Sequence, residues 1–232
     1  MDTLIRFIKF PLAFDVAKLK SDLSKIMSEK WVAHYNTNDY SGKWTSVALM
    51  SIDGKSDTIF ALSNANANDT IKATEILDSC VYFKEILDGF HFEKTAVRLL
   101  QLAVGAEIKP HSDHCLGYED GSFRLHIPII TNPDVEFILD GQRLIMGEGE
   151  CWYIDANFEH SVANRGNQDR IHLVIDGIRN DWTDALFYKE APENQFTKPE
   201  TVMSEEKKQL VIAELRLMNT AVANEMIKNL EQ

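Results

Sequence analysis

Three residues are the first in the chain whose types and spacing suggest chemistry: His111 and Asp113, two apart, and His160 well downstream. On an extended segment, side chains at i and i+2 project from one face, so an imidazole and a carboxylate would stand together. A second imidazole from a later strand would complete a set of two nitrogens and one oxygen. On one face of an octahedron such a set leaves three positions open, which suits a non-haem Fe(II) centre binding a chelating co-substrate and O2. The tripeptide alone carries little weight, because a His beside an Asp is commonly a surface hydrogen-bonding pair. His160 inside a β-rich stretch adds to it.

Arg170 adds more. It opens an apolar strand on which Arg170, His172, Val174 and Asp176 share one face and Ile171, Leu173 and Ile175 the other. A guanidinium facing a barrel interior is costly without an anion. The far carboxylate of 2-oxoglutarate would supply one, and the planar fork matches it bidentately. The plain alternative is an arginine exposed at a strand end. Arg124 and His126 form a second polar pair on one face of an apolar strand, which reads either as a cavity lining or as a solvent face. His114 and His172 read as supporting hydrogen-bonding residues. His34 and His91 receive no role, and Trp44 and Trp182 are either pocket walls or core.

These residues need a scaffold. Between about 96 and 180, short apolar runs recur with turn signals between them: 96–104, 123–130, 135–139, 144–146, 150–155, 160–163 and 170–178. That spacing predicts a sandwich or barrel built from hairpins. Asp140-Gly141 reads as a two-residue hairpin turn. Upstream, Asp15 caps a helix through Val16, Leu19, Leu23 and Ile26, Thr45–Ile52 reads as a strand, and Ser79 caps a helix that Gly89 ends. Downstream, Ser204 with Glu205 and Glu206 opens a helix with the stripe Val211, Leu215, Met218, Val222 and Met226. That stripe needs cover, from the outer face of the sheet or from a second copy in a homodimer. The expected division is 1–182 as one domain, its core about 96–180, followed by a helical extension over 183–232.

The chain has 232 residues and a formal net charge of −12. That charge opposes a nucleic-acid partner, and no apolar stretch reaches the roughly 20 residues of a membrane span. The N-terminus lacks the pattern of a signal peptide. Three cysteines, Cys80, Cys115 and Cys151, with no C-x-x-C pair, point to a reducing, cytoplasmic setting.

Several ordered stretches carry a resemblance: Val97–Leu100, His111-Ser112-Asp113, Arg124–Ile129, Gly149–Asp155, His160–Asn164 and Arg170–Asp176. Over about residues 75–182 the chain resembles the aspartyl/asparaginyl β-hydroxylase and bacterial proline hydroxylase family. The resemblance implies a mainly β fold with flanking helices: a double-stranded β-helix, or cupin-like jelly roll. It implies Fe(II) and 2-oxoglutarate, and hydroxylation of an aliphatic carbon of an amino acid. His111, Asp113 and His160 match the metal ligands, Arg170 the holder of the 2-oxoglutarate carboxylate, and Arg124 and His126 further co-substrate contacts. The peptidyl branch carries glycine where Asp113 stands, which tilts the reading toward a free, proline-like amino acid. Asp113 also opposes a halogenase, which keeps that position open for chloride. The rival readings are a peptidyl Asp/Asn β-hydroxylase, a cupin-like metalloenzyme without 2-oxoglutarate, and a jelly roll that binds a ligand without turnover.

Overall fold

The computed structural model describes residues 4–59, 71–113, 115–196, 205–218 and 221–231. The first part of the chain gives β1 (Phe7–Ala13), α1 (Val16–Ile26), β2 (Val32–Ala33), β3 (Tyr40–Ser41), β4 (Trp44–Ser51), β5 (Lys72–Ala73), α2 (Glu75–Asp78) and α3 (Val81–Gly89). A run of strands follows: β6 (Lys94–Leu102), β7 (Glu107–His111), β8 (Ser122–Ile130), β9 (Val135–Leu139), β10 (Gln142–Leu144), β11 (Glu150–Ile154), β12 (His160–Asn164) and β13 (Arg170–Ile178). The chain ends in α4 (Asp181–Phe187), α5 (Glu205–Met218) and α6 (Ala221–Leu230).

Two antiparallel sheets face each other, a jelly roll as expected. The larger runs β1-β11-β8-β13-β6-β4-β2, with β5 added to β4; the smaller runs β10-β9-β12-β7-β3. The Asp140-Gly141 turn joins β9 to β10 with both residues at positive φ, 45° and 74°. That is the geometry that matches the twist of a two-residue hairpin.

The larger sheet is buried on both faces. Ile171, Leu173 and Ile175 of β13 pack outward into one cluster with Leu19, Phe83, Ile86 and Phe187. Helices α1 to α4 therefore cover that outer face, each buried Ile or Leu contributing about 1.5–3 kcal/mol. Even positions of β13 point the other way, toward a second cluster between the sheets that includes Leu102, Ile108, Phe137, Ile154 and Val162.

Several sequence expectations shift. Ser79 does not cap α3; its hydroxyl bonds back to Ile76 O. The cap comes instead from α1, where the buried Asp22 carboxylate accepts from Tyr82 N (2.7 Å) and Phe83 N (3.0 Å). A cap supplied from another helix leaves no local pattern. Strands β1 and β7 were not anticipated. The former is an edge strand, which lets it carry Pro11. Helix α4 crosses the expected 182–183 boundary, and its fully buried Phe187 stacks on Tyr118 at 3.8 Å.

The stripe on the last two helices turns toward the cavity and the helix pair itself rather than onto the outer sheet face. Ile212 and Leu215 of α5 meet Ala223 and Ile227 of α6, while Val211, Leu215, Met218 and Met226 line the cavity between the sheets. Ser204 and the side chains of Glu205, Glu206 and Val222 lie outside the described residues, as does His114. Among the described residues, no helix is long and apolar enough to cross a membrane.

Candidate active site

The pairing of β7 with β12 brings the distant histidines together. His160 is in register with His111, and their ring centroids are 4.3 Å apart. Asp113 follows just past the end of β7, where its backbone N–H donates to Ala156 O at 2.9 Å. One ligand atom from each of His111, Asp113 and His160 lies within 4.8 Å of the others.

Each imidazole is held by its Nδ1. That of His111 lies 2.8 Å from Lys109 O and that of His160 3.0 Å from Phe158 O. A backbone carbonyl can only accept, so Nδ1 carries the hydrogen and Nε2 is left with a free lone pair. Burial, then the nearby His111, lowers the His160 pKa to about 4, so the ring is neutral at physiological pH. Burial raises the Asp113 pKa, but Arg124 and the two imidazoles outweigh it and hold the carboxyl well below the usual carboxylate range. Two imidazoles with their Nδ1 atoms held by backbone carbonyls, and one carboxylate, are the donor set that fits Fe(II).

The triad opens on a cavity of about 240 Å³ between the sheets. Arg170 lies on its wall, only 2% exposed, with no carboxylate in ion-pair range among the described residues. One terminal nitrogen of Arg170 meets His172 Nδ1 at 2.8 Å, and its Nε has no partner. Burial without a counter-ion lowers its pKa to about 9. His126, also on the wall, has no partner on either ring nitrogen. Burial, then the Arg170 charge, pushes the His126 and His172 pKa values far below the ordinary range. A buried cation with unfilled donors in a cavity fits the far carboxylate of 2-oxoglutarate.

Arg124 behaves differently. Its Nε and one terminal nitrogen bind Asp176 (2.7 and 3.2 Å), and the other terminal nitrogen binds Asp113 at 2.8 Å. Its donors are committed within the protein. Asp176 also accepts from Arg98 at 2.6 Å, so a buried Arg98–Asp176–Arg124–Asp113 chain runs to the triad. Asp176 shares the inward face of β13 with Arg170; the alternation placed it there, but nothing local marked it as the hub of two arginines.

Other wall residues were missed or misjudged. His34 stacks on Trp44 at 3.7 Å, and both line the cavity, as do Tyr35 and Ser46. His34 had no role in the sequence reading, since it lies far from the strand repeat. Trp182, the other candidate wall, instead packs against Phe90 and Phe92 outside the jelly roll.

A jelly roll whose two sheets enclose a 2-His-1-carboxylate set and a buried, unpaired arginine defines a class of metal-dependent oxygenase scaffold. The family model described as aspartyl/asparaginyl beta-hydroxylase matches residues 14–180, and the chain belongs to that family of Fe(II)/2-oxoglutarate dioxygenases. The chain is 32% identical to an L-proline cis-4-hydroxylase of Rhizobium meliloti over 167 residues, 70% of this chain and 57% of that protein. It is 27% identical to an L-proline cis-3-hydroxylase of a Streptomyces species over 173 residues, 71% of this chain and 57% of that one. The matches thus span a little over half the length of these relatives. In fold it resembles an oxidoreductase of the 2OG-Fe(II) oxygenase family from Burkholderia pseudomallei, with TM-score 0.51 and 13% identity over 75% of this chain and 86% of that one.

Proposed function

We propose that the protein couples the oxidative decarboxylation of 2-oxoglutarate to hydroxylation of an aliphatic carbon of a small free amino acid, with proline-like substrates preferred. The observation that carries this reading is Arg170, a buried guanidinium with no counter-anion among the described residues, in the cavity onto which His111, Asp113 and His160 open. A metal-binding jelly roll that does not use 2-oxoglutarate would have no use for so costly a charge. Family membership and the two L-proline hydroxylases among the relatives support the amino-acid substrate. The cavity's size, and its cover by α5 and α6, favour a small molecule over an extended peptide.

In this reading His111, Asp113 and His160 would hold Fe(II), which would supply O2 activation, with 2-oxoglutarate as the two-electron donor converted to succinate and CO2. Everything else the chain contributes is positioning and exclusion of water. Arg170 anchors the far end of the co-substrate through its unfilled donors, and neutral His126 beside it adds a hydrogen-bonding edge without a second charge. Arg124 orients the Asp113 carboxylate and holds it ionised. The aromatic wall of Trp44 and His34 keeps solvent from the reacting carbon.

The test is succinate release in the presence of Fe(II), 2-oxoglutarate and O2, measured across free amino acids and a peptide panel. Release stimulated by a free amino acid above the uncoupled background supports the reading. Stimulation by peptides alone would move the substrate to the peptidyl class. No succinate under any condition would remove the co-substrate assignment.

A further inference from the structure

The same cavity is also lined by a pair of carboxylates from distant parts of the chain. Glu214 projects from α5 and Asp39 from the loop before β3, and both line the cavity. They share a side-chain hydrogen bond, and the buried Asn36 amide donates to Asp39 and, at 3.3 Å, to Glu214. Among the described residues, neither carboxylate has a lysine or arginine within ion-pair distance. Two acids that close, facing a cavity and lacking a cation, repel unless a proton or a ligand's positive charge sits with them. Burial, then the Asp39 charge, accordingly raises the Glu214 pKa.

A second feature of the same cavity points to a polar ligand. Ser46, 3% exposed, lines it with a hydroxyl that has no partner, and Arg98, 8% exposed, lines it with an unfilled Nε. Buried donors are rarely left unfilled unless something arrives to fill them. The cavity therefore offers both cation-seeking and anion-seeking groups beside the triad.

We propose that Glu214 and Asp39 form the subsite for the substrate's cationic nitrogen, a primary or secondary ammonium, and that the C-terminal helix α5 is thereby a specificity element of the site. This rests on the reading of the cavity as a 2-oxoglutarate-dependent hydroxylation site. Glu214 lies beyond the family-matched residues 14–180, so the assignment concerns a part of the chain that the shared domain does not reach. It also accounts for the stripe on α5, whose Val211, Leu215 and Met218 seat the helix over the cavity and aim the carboxylate. An ammonium held at this wall is desolvated, and a charge-assisted bond to each acid would offset that cost.

The experiment uses the full chain loaded with Mn(II) and 2-oxoglutarate without O2. The free amino acid that most stimulates turnover, and its deaminated analogue, are titrated calorimetrically into wild type, Glu214→Gln and Asp39→Asn. Wild type should prefer the amino acid over the analogue by tenfold or more. Each variant should bind the amino acid about 10-fold or more weakly, with binding of the analogue and of 2-oxoglutarate unchanged. Amino-acid binding unaltered in both variants would overturn the subsite, as would loss of amino acid and analogue in equal measure. So would the absence of any amino acid or amine that stimulates an enzyme still releasing succinate slowly by itself. If wild type releases no succinate at all, the functional reading fails first, and that outcome is visible before any variant is made.

Discussion

Replacing Arg170 with leucine should make the unliganded protein more stable while destroying its response to 2-oxoglutarate. At neutral pH the guanidinium is charged in both folded and unfolded states, since its folded pKa stays near 9. A depression from 12.5 to about 9 corresponds to about 5 kcal/mol of unrepaid desolvation at 1.36 kcal/mol per pH unit, an upper bound. Leucine removes that cost and loses the bond to His172 Nδ1, worth about 1.5–3 kcal/mol for a charged donor. It also gives up the stacking over the Phe137 ring, 5.9 Å from the guanidinium carbon. The balance is a gain of roughly 2 kcal/mol, a Tm higher by about 4–8 °C for a chain of this size. Binding of 2-oxoglutarate should weaken by about 30-fold or more, the 2–5 kcal/mol expected when one partner of a buried charge pair is truncated. The assay is thermal unfolding with Mn(II), with and without 2-oxoglutarate. Wild type should gain about 2.7 kcal/mol at a hundredfold excess over Kd, and the variant little at the same concentration. The reasoning is refuted if the variant unfolds at lower temperature than wild type without ligand, or keeps the full ligand-induced shift.

His160→Ala should abolish binding of one Fe(II) per chain to anaerobic apo-protein, read by titration calorimetry, and unchanged stoichiometry would sink the ligand assignment. Arg124→Gln frees Asp113 and leaves Asp176 to Arg98 alone. Metal affinity should fall by about 10- to 100-fold, with 2-oxoglutarate binding at saturating metal changed far less; the reverse pattern would mean Arg124 grips the co-substrate itself. Buried Asp155 shares a hydrogen bond with Glu119; burial, then the Glu119 charge, pushes its pKa up to about 8. A raised acid contributes stability that is complete below its unfolded pKa near 4 and is lost as pH rises through 8. The melting temperature should therefore fall between about pH 5 and 8, at no more than about 1.4 kcal/mol per pH unit, and Asp155→Asn should flatten that slope. An unchanged slope in the variant would assign the pH dependence to another group.

The strands around the site were legible because alternation is a local property. Along β13, Arg170, His172, Val174 and Asp176 fall on one face by counting in twos, and the fold leaves that face inward. The Asp140-Gly141 turn was equally local, since positive φ at two adjacent positions favours few residue pairs. What escaped the sequence was supplied at a distance. Asp22 caps a helix 60 residues downstream, and β7 is defined more by pairing with β12 than by its own Glu-Ile-Lys-Pro-His pattern. Charge pairing is a still longer-range property. Whether an arginine in a strand is spare or spent depends on which acids the other strands bring, and no feature of Arg124 or Arg170 alone distinguishes them.

That distinction separates the two arginines physically. Arg124 and Arg170 stand on the inward faces of neighbouring strands of the larger sheet, both deeply buried. Asp176 and Asp113 raise the Arg124 pKa, whereas the Arg170 pKa is lowered with burial as its only resolved cause. A charge already neutralised by the protein can orient a carboxylate but gains little from a further anion. A charge left without an acid keeps its electrostatic attraction for a ligand, at the expense of the free protein's stability. The same asymmetry recurs with opposite sign at Glu214 and Asp39, which line the cavity with no lysine or arginine in ion-pair range among the described residues. Ligand selectivity in such a cavity follows from which charges its own fold leaves uncompensated, so a zwitterion and a dianion can be told apart within one small space.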